Sequence, residues 1–186
     1  MIQILKLTGA GIPQSWLSVE EAVLHYATGE VIWELGTQIA TLHGGINALS
    51  GRRSEITVNS IIGVAGVGKI NPFDLVPSLS NSKLFQRDRG VCAYCGVRYP
   101  YSNLEREHIV PLSRGGRDAW MNVVASCREC NRNKGAKLPH EVGMALVYAP
   151  YVPSLWEDMI LRNRRILSDQ MEFLAANLPR GSRLSA

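Results

Sequence analysis

Two short stretches of this chain, Cys92-Ala93-Tyr94-Cys95-Gly96 and Ser126-Cys127-Arg128-Glu129-Cys130-Asn131, share one pattern. They hold all four of its cysteines, as two C-x2-C pairs. Each pair sets two thiols on one tight turn, and two such turns complete the tetrahedral sulfur set that Zn²⁺ prefers. The 31 residues from Gly96 to Ser126 exceed the roughly 15 to 20 of a simple zinc ribbon, so something further is built between the knuckles. Four protein ligands leave a zinc ion no open position, which assigns it to folding and puts any chemistry elsewhere. A redox dithiol, buried structural cysteines or disulfides are the weaker alternatives.

Working outward, Glu107-His108 and Asn122 lie between the knuckles, while Asn131, Lys134 and Gly135 follow the second. The run Glu107-His108-Ile109-Val110-Pro111-Leu112-Ser113-Arg114-Gly115-Gly116 continues through Trp120-Met121-Asn122 to Cys127-x-x-Cys130-Asn131-x-x-Lys134-Gly135, and it closely resembles HNH endonucleases. The approach Leu84-Phe85-Gln86-Arg87-Asp88-Arg89-Gly90-Val91 into Cys92 resembles the same family's lead-in to its first knuckle. The resemblance spans about residues 83–140. The N-terminal part resembles, more loosely, the leader of some short bacterial and phage HNH proteins.

The resemblance implies a zinc-stapled ββα-metal core that hydrolyses DNA with a divalent ion and leaves 3′-hydroxyl and 5′-phosphate ends. The residue types suit that chemistry. An imidazole of ordinary pKa, about 6.5, can take a proton from water near neutral pH, which makes His108 the expected general base. The departing oxygen needs a hard cation, and carboxylate and amide oxygens bind one, so Glu107 and Asn131 are the expected ligands of Mg²⁺ or Mn²⁺. The resemblance gives Asn122 a supporting role, its amide tying down the loop that carries the histidine. Two departures stand out. Glu107 occupies a position that is usually Asp, and Asn131 one where many members have His; the latter resembles the His-Asn-Asn subgroup of some homing endonucleases and RNA-guided CRISPR nucleases. On a regular strand Glu107 and His108 point to opposite faces, so the strand is expected to end or bend there. The rival from another class is a catalytically silent, zinc-stabilised module that binds nucleic acid.

Charge supports a polyanionic partner. Residues 81–140 hold 11 Lys/Arg against 5 Asp/Glu, whereas residues 1–80 hold 4 against 6 and residues 141–186 hold 5 against 5. Arg87, Arg89, Arg114, Arg117, Arg128, Arg132, Lys134 and Lys137 flank the expected site and would neutralise phosphates without reading bases, unless they are merely solvated. Arg162, Arg164 and Arg165 could extend that footprint or simply form a polar helix face.

The remainder reads as ordinary globular protein, with 46% hydrophobic and 19% charged residues. Its apolar runs fall far short of the roughly 20 residues of a membrane span, and its start lacks a signal-peptide pattern, so a cytoplasmic protein without membrane contact is expected. Residues 2–7 read as a strand ended by Gly9, Gly11 and Pro13, and Ser18-x-x-Glu21 as the capping box of a helix that Gly29 stops. Strands are expected over 30–35, 38–42 and 55–62, and short helices over 82–88 and 127–134, the latter capped by Ser126-x-x-Glu129. A long helix is expected from Ser154 to about Leu178. Gly63-x4-Gly68-Lys69 imitates a P-loop, but Ile70 stands where Ser or Thr should be, so it is read as a turn. His25, His43 and His140 lack a partner set and read as structural or surface residues. The expectation is therefore an α+β protein: an N-terminal β/α unit and connector (1–80), an HNH core with its four-cysteine site (81–140) and a C-terminal helical segment (141–186).

Overall fold

The computed structural model describes residues 2–46, 48–66, 71, 74–163 and 165–184. The chain is α+β and divides into two compact units, Met1–Asp74 with Asn163–Leu178, and Leu75–Arg162 with Pro179–Ala186. The span 141–186, expected as one segment, is thus shared between the units. The P-loop imitation ends in residues outside the described set.

The first unit is a four-stranded sheet in the order β2-β1-β4-β3, built from β1 (Ile4–Thr8), β2 (Pro13–Leu17), β3 (Val31–Ile46) and β4 (Arg53–Val64). β2 was not expected, because Pro13 reads as a breaker. Yet proline is tolerated as the first residue of an edge strand, where no ladder donor is missed, and β2 is such an edge. The two strands expected over 30–42 are one. Gly36 sits at φ +80° inside a register irregularity between Leu35 and Gln38, so the suspected turn is a bulge-like kink. Helix α1 (Val19–Ala27) follows the expected reciprocal cap, with Glu21 N–H donating to Ser18 Oγ at 3.2 Å and Ser18 N–H to Glu21 Oε2 at 2.7 Å. Ile4, Leu17, Ala22, Val58, Ile62 and Val64 form the core.

The second unit carries α2 (Asn81–Arg87), the hairpin β5 (Leu104–His108) and β6 (Val123–Cys127), α3 (Arg128–Lys134) and α4 (Leu155–Arg162). Its core is Leu84, Phe85, Leu104, Trp120, Val123 and Ala125. The long C-terminal helix is two helices. After α4, Asn163 Oδ1 accepts the N–H of Arg165, and Gln170 Oε1 accepts that of Leu167, which starts α5 (Ser168–Ala176) afresh. Gln170 then donates to the carbonyls of Gln3 and Ser60, both at 2.8 Å, which ties α5 to the first unit's sheet. Among the described residues no helix is long and apolar enough to cross a membrane.

Candidate active site

Strand β5 has two working faces, because its side chains alternate. Leu104 packs into the core beside α2, and on the same face Arg106 donates from Nε to Asn81 Oδ1 at 2.8 Å. Glu105 and Glu107 face α3 instead. There Glu107 Oε1 meets Lys134 Nζ at 2.5 Å, and Glu105 Oε2 accepts from Asn131 Nδ2 at 2.5 Å. Arg128, Asn131 and Lys134 share one side of the short helix, three residues apart, and so meet the two glutamates in order. Strand pairing runs through Glu107↔Val124 and His108↔Val123 and ends there, so the two expected site residues do point to opposite faces.

The loop after β5 is pinned by Asn122. Its Oδ1 accepts the Val110 N–H at 2.9 Å, its Nδ2 donates to the carbonyls of Val110 at 3.0 Å and Arg117 at 2.9 Å, and its own carbonyl accepts the Ile109 N–H at 2.9 Å. Gly116 lies so close beneath that a Cβ there would overlap the Val110 carbonyl, which is why the turn needs glycine.

His108 does not meet Glu107 or Asn131 by hydrogen bond. Its Nε2 lies 2.9 Å from Asp118 Oδ1, while Asp118 Oδ2 accepts from Arg106 Nη1 at 2.6 Å. Burial tends to raise the Asp118 pKa, but the hydrogen bonds from Arg106 and His108 outweigh it and hold the carboxyl below its usual range. Glu107 shows the opposite balance: burial raises its pKa despite the Lys134 ammonium beside it.

The four cysteine sulfurs lie within 4.8 Å of one another, and all four are free thiols. A tetrahedral zinc with bonds of about 2.3 Å spaces its sulfurs by about 3.8 Å, so the cluster fits that ion. Although burial pushes the Cys92 thiol up, backbone N–H groups of Cys95, Cys127 and Tyr94 bring its pKa down to about 6. Ala93 N–H donates to the Ala125 carbonyl at 2.8 Å, fastening the first knuckle to β6. Cys127 is the N-cap of α3 without any side-chain cap bond, which corrects the capping box read at Ser126; that hydroxyl turns inward, donating to the Cys127 carbonyl at 3.1 Å.

Two of the basic residues expected at phosphates are structural. Arg87 is wholly buried, its guanidinium engaged by both Asp88 carboxylate oxygens and by the carbonyls of Trp120, Tyr151 and Val123. Lys134 is buried between Glu107 and the His108 carbonyl, which it reaches at 2.8 Å. Neither presents its charge to solvent. Arg89, Arg117, Arg132 and Lys137 are exposed. Arg114 is paired with Glu141, and Arg128 lies near Glu105. Arg162 pairs with the buried Asp158 one helical turn back. The sequence reading missed Asp118, Arg106 and Glu105. Asp118 carried one signal, being the sole acidic residue between His108 and Asn122; Glu105 carried another, its even spacing from Glu107.

Residues 92–147 match the family profile described as HNH endonuclease. Over 51 residues the chain is 45% identical to the CRISPR-associated endonuclease Cas9 of Corynebacterium diphtheriae, a match covering 27% of this chain and 5% of that protein. Over 55 residues it is 42% identical to the type IV methyl-directed restriction enzyme EcoKMcrA of Escherichia coli, covering 26% and 20%. The chain thus spans a minor part of the length of both relatives, and the profile match lies within the second unit. It carries an HNH endonuclease segment whose four-cysteine cluster is consistent with a zinc site.

Proposed function

We propose that this chain, through its HNH segment, hydrolyses DNA phosphodiester bonds with a divalent metal ion, His108 acting as general base and Glu107 and Asn131 holding Mg²⁺ or Mn²⁺. The observation that supports it most is the position of His108. Its ring stands at the last position of a paired strand, about a fifth exposed, with one nitrogen held by Asp118. A ring so held can take a proton from water approaching its other nitrogen.

The donor set fits a hard cation. Asn131 spends its Nδ2 on Glu105, which leaves the amide oxygen available, and the Lys134 contact uses Oε1 of Glu107. These are oxygen donors, the kind Mg²⁺ and Mn²⁺ prefer over sulfur or imidazole. Bound there, the ion would supply Lewis-acid stabilisation of the departing oxygen. The chain's own part is positional. Asn122 fixes the loop after the histidine, Lys134 fixes Glu107 against α3, and exposed Arg89, Arg117, Arg132 and Lys137 neutralise phosphates in a salt-sensitive, sequence-tolerant way.

The test is incubation of the zinc-loaded protein with supercoiled plasmid, and separately with RNA, in the presence of Mg²⁺ or Mn²⁺. Nicked or linear DNA is expected, with little effect on RNA. DNA retained on the protein but uncut under every metal would instead identify a silent binding module.

A further inference from the structure

Asp118 is the residue whose side chain meets the proposed base. Its two carboxylate oxygens are divided: Oδ1 lies 2.9 Å from His108 Nε2, and Oδ2 lies 2.6 Å from Arg106 Nη1. Arg106 is itself fixed, its Nε donating at 2.8 Å to Asn81 Oδ1 at the start of α2. On the other side Asn122 Nδ2 donates to the carbonyl of Arg117, the residue just before Asp118, at 2.9 Å. The carboxylate is therefore held at both its backbone and its side chain, although about half exposed.

We infer that Asp118 is a positioning residue that holds the His108 imidazole as the tautomer protonated on Nε2 and leaves Nδ1 as the basic nitrogen. A guanidinium has donors only, so Oδ2 must accept from it. An ionised carboxylate has acceptors only, so Nε2 must be the donor toward Oδ1. A neutral imidazole with its proton on Nε2 keeps its lone pair on Nδ1. The consequence for cleavage rests on the nuclease reading; the tautomer does not.

The arrangement makes a specific demand of Asp118→Asn. Arg106 still needs an acceptor, so the new amide turns its oxygen to Arg106 and its NH₂ to His108. That NH₂ must find a lone pair on Nε2, which drives the ring proton to Nδ1. Removing the guanidinium as well, in R106M/D118N, frees the amide to turn back and restores the Nε2–H form. A surface ion pair between Arg106 and Asp118 with no bearing on the ring would produce neither change.

The experiment is two-bond ¹H–¹⁵N correlation of the histidine rings in the full-length, zinc-loaded chain at a pH where they are neutral. His108 is picked out from the four histidines by its absence in His108→Gln. The wild type should show the proton on Nε2, D118N on Nδ1, and R106M/D118N on Nε2 again. Steady-state plasmid cleavage by D118N should fall at least about 100-fold in kcat, with KM for DNA within about twofold, the scale of a lost general base. A wild-type ring protonated on Nδ1, or a D118N ring unchanged from wild type, overturns the inference. If the wild type cuts no DNA, the nuclease reading fails, and the tautomers still decide the role of Asp118.

Discussion

Two charged residues of the second unit's interior show how one side chain's surroundings set its part. Lys134 resembles a phosphate contact in sequence, yet it is 1% exposed and balances Glu107, itself 6% exposed. Taking away one partner of a buried pair leaves the other charge without compensation, which costs about 3 to 5 kcal/mol. Lys134→Met should therefore lower the unfolding free energy from urea titration by that much, while E107M/K134M, which removes both charges, should recover most of it. A K134M variant as stable as wild type but weaker on DNA would return the lysine to the phosphate. Arg87 teaches the same lesson. No sequence pattern separates an arginine that faces solvent from one whose donors are spent on the carbonyls of Trp120, Tyr151 and Val123, because those carbonyls come from chain 33 or more residues away.

Among the elements, the 3-10 turn Leu112–Arg114 and the turn Pro139–Val142 are joined by the Arg114–Glu141 pair, which holds the loop beyond His108. The Arg114 hydrogen bond, then the N–H of Leu138, bring the Glu141 pKa down from 4.5 to about 2. A carboxylate with a depressed folded pKa contributes stability that is whole above its unfolded value and is lost as pH falls through the folded one. The urea-midpoint gap between wild type and Glu141→Gln should thus stay constant from pH 7 to about pH 5 and narrow below it. A gap that widens in acid would show that the pair does not anchor the loop. Elements set by short-range rules were legible. The Ser18 cap, the α1 stop at Gly29 and the end of β5 at His108 depend on neighbours a few residues away. The strand β2 rests on hairpin pairing with β1, the pairing of Asp118 with His108 on a loop that turns back, and the seat of α5 on the distant carbonyls of Gln3 and Ser60; none was legible beyond the lone acid before Asn122.

At the scale of the molecule, the two units draw on different sources of stability. The first has an apolar core between sheet and helices; the second has an apolar core of its own and, beside it, a four-thiol cluster consistent with a zinc site. Structural zinc in small domains supplies much of their folding free energy, about 10 to 16 kcal/mol in zinc-finger peptides. Chelation should accordingly speed amide exchange in β5, β6 and α3 while the β1 and β4 amides stay protected; uniform loss or no loss would contradict that division. The proposed cleavage by this chain turns on a single ring at the end of β5, and the decisive quantity is the rate constant of one turnover on plasmid DNA with Mn²⁺. Wild type should cut, and His108→Ala, with its zinc content and circular dichroism unchanged, should cut at least about 100-fold more slowly. Equal rates for the two proteins would remove His108 from the chemistry.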